Sequence, residues 1–220
     1  MLQVAQALGW PRLGWKIAAT NEALQRKLRT DAPVFGMTFS RFLSHAPAAL
    51  EHAQLLDPIV ECEFAFRLGR SPMPAPGREL GEDDLLAAIE SVHPCVEVAE
   101  CRFARHELPP PLFIQADGFA SGRYVLCPPI PHWQALLERG VDVAVFRNGQ
   151  LHSSGHSSDV MGHPLRPLVW LANALRRFDL QLQPGDLVCT GSCNILCPAR
   201  AGDRFAVHYE GLPELNLSTD

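Results

Sequence analysis

Between Pro58 and Leu68 the chain reads PIVECEFAFRL, with apolar side chains at every second position: Val60, Cys62, Phe64, Phe66 and Leu68. A period of two marks a strand that buries one face. Eleven residues make a long strand, and both of its edges carry backbone groups that need partners. The chain is therefore committed to a sheet with this segment inside it. Pro94 to Phe103 (PCVEVAECRF) alternates in the same way and is the natural neighbour.

Further strands are expected at Gly14–Thr20, within a mixed loop and strand over Asp31–Phe39, at Arg123–Cys127, Leu187–Thr190, Arg204–Tyr209 and Glu214–Leu217. Asn148-Gly149, between Val143–Phe146 and Leu151, is a hairpin turn signal. Helices are expected over residues 1–9, from a Thr20 or Asn21 cap to Leu28, over Asp83–Val92 and over Pro164–Phe178. Gly69–Gly81, Arg105–Pro111 and Ser153–Met161 read as loops. Many strands with three or four helices predict an α+β fold.

Composition narrows the function classes. Of 220 residues, 47% are apolar, enough for a core, and 19 basic residues against 24 acidic ones leave a charge of −5 with no Lys/Arg run. Nucleic-acid binding is not expected. No apolar run approaches the roughly 20 residues of a membrane helix, so no membrane partner is expected either. The opening MLQVAQALGWPR lacks a basic region and a small-residue cleavage site, which predicts a cytoplasmic location. Seven cysteines are expected to be reduced thiols. Cys189, Cys193 and Cys197 recur every four residues, and His152 and His156 sit four apart in a Ser/Gly-rich segment; neither spacing is that of a zinc site.

Three acids and a lysine carry the chemistry. Glu61 and Glu63 project from one face of their strand with Ala65 and Arg67. That face reads either as the solvated side of an ordinary amphipathic sheet or as a place where a cation relieves two mutually repelling carboxylates. Glu97 shares a face with Cys95, Ala99, Cys101 and Phe103, the more apolar face of its strand. A carboxylate there needs an arginine or a metal as partner. Three oxygen ligands from two strands suit Mg²⁺ or Mn²⁺. Lys16, in the middle of the first strand, is either a snorkelling side chain or a partly buried amine able to exchange protons.

The ordered segments GWKIAATNEALQRKL, APVFGMTF, PIVECEFAFRLGR, HPCVEVAECRF, QADGFASG, MGHPLRPLVWLANAL, LQPGDLVCTGS and PARAGDRFAVHYEGL span more than nine tenths of the chain. Together they resemble the fumarylacetoacetate hydrolase superfamily, in its 2-keto-4-pentenoate hydratase/4-oxalocrotonate decarboxylase branch. The resemblance implies a mixed β-sheet roll or barrel with a few helices packed outside. It implies a single catalytic domain over residues 1–220, in which 1–13 are the remnant of a shortened N-terminal region.

The family's E-x-E pair falls on Glu61 and Glu63, and its third acid on Glu97, which implies a Mg²⁺ or Mn²⁺ site. Glutamate at the third position, where the hydrolases have aspartate, points to the hydratase/decarboxylase branch. The family lysine falls on Lys16, and its T-G-[ST] stretch on Thr190, Gly191 and Ser192, which are expected beside the substrate carboxylate. A P-D-[FY]-G motif usually follows the first helix; here Pro33-Val34-Phe35-Gly36 lacks the acid. Asp31, three residues earlier, is the candidate stand-in for proton transfer.

The implied reaction is hydration of a short 2-oxo or 2-hydroxydienoic acid of the 2-keto-4-pentenoate type, in aromatic-compound catabolism. The alternatives are decarboxylation or tautomerisation of a 4-oxalocrotonate-type diacid, C–C hydrolysis of an acylpyruvate, and a non-catalytic partner subunit. A homo-oligomer, and an association with a pathway partner enzyme, are further expectations of the resemblance.

Overall fold

The computed structural model describes residues 2–104 and 106–220. In chain order the elements are α1 (Leu2–Leu8), β1 (Arg12–Ala18), α2 (Glu22–Leu28), β2 (Val34–Phe39), β3 (Leu43–His45), β4 (Ala48–Leu50) and β5 (Pro58–Leu68). There follow α3 (Glu82–Leu86), β6 (Ile89–Glu100), α4 (Pro111–Ala116), β7 (Arg123–Leu126), α5 (Trp133–Arg139), β8 (Asp142–Arg147) and β9 (Gln150–His156). The chain ends with α6 (Leu165–Arg176), β10 (Leu187–Cys189), β11 (Cys197–Pro198), β12 (Asp203–Tyr209) and β13 (Leu215–Thr219).

One sheet has the order β2-β1-β10-β5-β6-β7-β3, with β11 also paired to β5; the other runs β4-β13-β12-β8-β9. Both are mixed: β1–β10, β3–β7 and β13–β4 are parallel, and the other pairs are antiparallel. The expected α+β class holds. No helix among the described residues is long and apolar enough to cross a membrane.

The long strand lies inside the first sheet, flanked by β10 and β6, as its alternation requires. Its apolar face (Val60, Cys62, Phe64, Phe66 and Leu68) joins the main core. The second sheet meets that face with Phe205, Val207, Tyr209, Leu215 and Leu217, and α6 adds Leu168, Leu171 and Leu175 at helical spacing. Complete burial of one such side chain is worth about 1.5–3 kcal/mol. Tyr209 also ties the sheets together. Its hydroxyl donates towards the carbonyls of Cys95 at 2.7 Å and Glu63 at 3.2 Å, so the second sheet pins the strand pair that carries the acids.

The opposite face of β5 is not a solvated side. Ala65 is buried with Cys95, Tyr124, Leu126, Leu187 and Cys189 in a smaller cluster. That burial removes the reading of Glu61 and Glu63 as ordinary surface residues.

Several boundaries depart from expectation. The helix expected over Asp83–Val92 stops at Leu86, and Ile89 already pairs with Leu68 in β6. Pairing along all of β5 outweighs the helical propensity of a short Leu/Ala run. Pro94 is tolerated inside β6 because its partner Phe64 has a carbonyl that accepts instead from the Thr190 amide and hydroxyl. The Ser/Gly-rich segment after residue 150 is not all loop. The hairpin carries β9 on to His156 as a polar edge strand, with Asn148 and Gly149 at φ 53° and 78° in a type I′ geometry. The short helices α4 and α5 have no expected counterpart. The loop expected from Arg105 begins on a residue outside the described ones.

Candidate active site

The site is built where five strands, β1, β10, β5, β6 and β7, lie side by side. Antiparallel register sets Glu61 directly opposite Glu97, and Glu63 opposite Cys95. Residues directly opposite share a face, so all three acids converge. On the far side of β6, Glu97 pairs with Tyr124 of β7. From the other direction, β10 lies between β5 and β1 and matches Cys189 to both Ala65 and Lys16. β1 can approach β10 closely because residue 14 is glycine: a Cβ there would stand 2.1 Å from the Leu187 carbonyl oxygen.

One carboxylate oxygen from each of Glu61, Glu63 and Glu97 lies within 4.8 Å of the other two. Glu63 is 1% exposed, Glu97 fully buried and Lys16 3% exposed. The Lys16 Nζ stands 3.5 Å from Glu97 Oε1. The same oxygen accepts from the Tyr124 hydroxyl at 2.9 Å, which in turn lies 2.9 Å from Ser121 Oγ. Glu63 Oε2 accepts from the Gly191 amide at 3.0 Å.

Burial works to strip Lys16 of its proton, but Glu97, Glu61 and Glu63 more than reverse this, and its pKa is raised. Burial, with Glu97 and Glu61 close by, holds Glu63 well above the usual carboxylate range, against the pull of the Gly191 amide. Burial and then Glu97 push the Tyr124 phenol up as well, so it stays protonated and donates.

Three carboxylates this close repel one another even with Lys16 beside Glu97. Glu97 Oε2 is also buried with no hydrogen-bond partner among the described residues, a costly state for a carboxylate oxygen. A divalent cation among the three resolves both problems. An all-oxygen donor set selects a hard ion such as Mg²⁺ or Mn²⁺. The residues present thus fit the metal that the sequence predicted.

The T-G-S stretch divides its work. Thr190 is fully buried and bonds the Phe64 carbonyl through its hydroxyl, so it holds strands together and does not line the cleft. Gly191 places its amide on Glu63 and adopts φ 102°; a Cβ would stand 2.6 Å from Thr20 Oγ1. Only glycine fits there. Ser192 lines the cleft, with its hydroxyl 3.0 Å from Asn194 Oδ1 and 3.1 Å from the Asn194 carbonyl oxygen.

Asp31 does not join the group. α2 ends with Arg29 in a left-handed conformation at φ 56°, and the chain turns outward, leaving Asp31 exposed and outside the cleft lining. Sequence reasoning missed Tyr124, Ser121 and Thr20. The available signal for Tyr124 was its place on the strand after β6, but its position opposite Glu97 needs the register.

Lys16 and Glu61 face a cleft of about 870 Å³, counted with the solvent at its open side, bounded by β1, α2, α4 and the segments around Leu108, Phe119 and Leu196. Lys16, Thr20, Glu61 and Ser192 lie in its lining.

Known proteins share this arrangement of elements. The chain is 34% identical to a 2-hydroxyhexa-2,4-dienoate hydratase of Comamonas testosteroni, over 96% of this chain and 80% of that protein. It is 27% identical to a 4-oxalocrotonate decarboxylase of Pseudomonas sp. strain CF600, over 94% and 77%. The solved 4-oxalocrotonate decarboxylase of Pseudomonas putida G7, complexed with magnesium and adipate, superposes with a TM-score of 0.90 at 25% identity, over 100% of this chain and 82% of that one. The fumarylacetoacetate hydrolase C-terminal family matches residues 18–218. A match of that extent, over a sheet that gathers Glu61, Glu63 and Glu97 in one buried cluster, makes this chain a member of the fumarylacetoacetate hydrolase C-terminal family.

Proposed function

We propose that this protein is a lyase that hydrates a short 2-hydroxydienoic acid of the 2-hydroxypenta-2,4-dienoate type, with residues 1–220 acting as one catalytic unit. The observation that carries the reading is the cluster of three glutamates with Lys16 against it, reached through Lys16 and Glu61 from a largely apolar cleft. Glu61, Glu63 and Glu97 would hold Mg²⁺ or Mn²⁺. The ion supplies Lewis-acid stabilisation of negative charge developing on a 2-oxo acid.

The chain's own residues do the rest. Hydration needs the 2-hydroxyl to lose a proton and C5 to gain one, giving a conjugated 2-oxo-3-enoate. Water then adds its oxygen at C4 and a proton at C3, and the product is a 4-hydroxy-2-oxo acid. Lys16, which lines the cleft beside Glu97, would move these protons. With the carboxylate charge neutralised by a divalent ion, burial would draw the Lys16 ammonium towards releasing its proton. Tyr124 and Gly191 hold Glu97 and Glu63 in place through the bonds described above. Apolar walls exclude competing water.

The hydratase relative at 34% identity supports this reading. The TM-score of 0.90 to a decarboxylase favours a second one, loss of CO₂ from a 2-oxo diacid to leave the same dienolate. Product analysis by NMR separates the two. A 4-hydroxy-2-oxo acid from 2-hydroxypenta-2,4-dienoate supports the hydratase. Consumption of 4-oxalocrotonate alone, with CO₂ release, replaces it by the decarboxylase. Association of copies into a homo-oligomer and a cytoplasmic location belong to the same proposal; sedimentation velocity reads the first.

A further inference from the structure

The described lining of the cleft is mostly apolar. Beyond Lys16, Thr20, Glu61 and Ser192, and apart from Cys101 and Lys27, its described side chains are apolar, with Leu24 and Leu28 of α2, Leu108, Ile114 of α4, Phe119 and Leu196 among them. Among the described residues, two cations touch it. Lys16 is occupied by Glu97 at the inner end, and Lys27 sits solvent-exposed on the last turn of α2. The nearby Arg29 is turned away to the backbone, its guanidinium donating to the carbonyls of Leu108 at 2.9 Å and Pro109 at 3.1 Å. Those bonds fasten the Leu108 segment, and with it one apolar wall, to α2.

A carboxylate carried beyond the Lys16, Thr20 and Ser192 side chains would therefore leave water for a largely aliphatic surface that, among the described residues, offers no further buried cation. An alkyl tail would gain from the same surface. We infer that this cleft selects a monocarboxylic 2-oxo or 2-hydroxydienoic acid with an uncharged alkyl tail, against the matching ω-dicarboxylate. The inference rests on the reading of the glutamate cluster as the end that takes the 2-oxo acid head.

Two measurements test it. The first is calorimetric binding of 2-oxohexanoate and 2-oxoadipate to the Mg²⁺-loaded protein, a pair that shares the head and differs only in a terminal methyl or carboxylate. The second is kcat/KM for 2-hydroxydienoates bearing hydrogen, methyl, ethyl or a terminal carboxylate. Each added tail carbon is expected to raise kcat/KM about fourfold, the worth of one buried methylene. The terminal carboxylate is expected to lower binding and kcat/KM about 100-fold or more.

Leu24→Ala should lose several-fold of the alkyl preference, and Lys27→Ala should leave the preference intact. Equal or tighter binding of 2-oxoadipate overturns the inference, as does a Lys27→Ala variant that alone abolishes binding of the diacid. The two failures are separable. Tail preference in binding without turnover of any dienoate sinks the proposed reaction and keeps the specificity. Turnover with a preference for the diacid does the reverse.

Discussion

Lys16→Met keeps the length of the side chain and removes its charge. The ammonium stands 3.5 Å from Glu97 Oε1, with both groups buried. At an effective dielectric near 20 the attraction at that distance is about 5 kcal/mol. Without metal, breaking such a pair should destabilise the fold by about 3–5 kcal/mol, so the variant is best studied in saturating Mg²⁺. Its activity should fall about 10²–10⁴-fold, the usual contribution of a positioned proton-transfer group. Its Mg²⁺ affinity should move the other way. The lysine competes with the ion for the same carboxylates, and if an entering ion forfeits even about 1.4 kcal/mol of the Lys16 attraction, removing the lysine tightens Mg²⁺ tenfold. The assays are loss of dienoate absorbance and calorimetric Mg²⁺ titration of chelator-stripped protein. A variant with near wild-type turnover, or one whose Mg²⁺ affinity drops tenfold, would refute the reasoning.

Other substitutions probe the support. Tyr124→Phe removes the hydroxyl that orients Glu97 and should weaken Mg²⁺ binding about 10–100-fold by calorimetry; unchanged affinity would show that the bond positions nothing. Gly191→Ala forces a Cβ against Thr20 at φ 102° and should cost about 1–3 kcal/mol in urea unfolding, together with weaker Mg²⁺ binding. Asp31→Asn, on an exposed loop outside the cleft lining, should leave kcat/KM within twofold; a loss of tenfold or more would return Asp31 to the proton-transfer role. His93 is held neutral, its pKa lowered by burial against the opposing pull of the Cys127 carbonyl. The unfolded chain therefore binds more protons between the lowered value and the ordinary one near 6.5. This contribution to stability is present above about pH 6.5 and declines as the pH falls below it. In His93→Gln that slope in urea-unfolding free energy should flatten.

What the sequence made legible was local. Alternation located β5 to the residue, and Asn148-Gly149 announced its hairpin. Glu97 stood out as an acid on an apolar face before any partner was known. Side-chain period also put Glu61 and Glu63 together, but it left their face open as solvent or site. Only the burial of Ala65, Cys95 and Tyr124 closes that question. The parts that were not legible depend on register and crossover. Tyr124 meets Glu97 because β7 pairs at one offset and not the next. Lys16 reaches the acids because β10, far along the chain, inserts between β1 and β5. The overlong helix at Asp83–Val92 failed for a related reason, since a Leu/Ala run beside a long unpaired strand is drawn into the sheet. Asp31 is close to the missing acid in sequence only, and a left-handed Arg29 turns it away.

The central claim is that one divalent ion, held by Glu61, Glu63 and Glu97, is required for turnover of a 2-hydroxydienoate. Its most direct test is the rate of 2-hydroxypenta-2,4-dienoate loss as Mg²⁺ is titrated into chelator-stripped protein, wild type beside Glu97→Gln. The account predicts no turnover at zero metal, saturation at one ion per chain, and a large loss of both affinity and rate in the variant. Full turnover in excess chelator, or a Glu97→Gln protein that matches wild type, would contradict it.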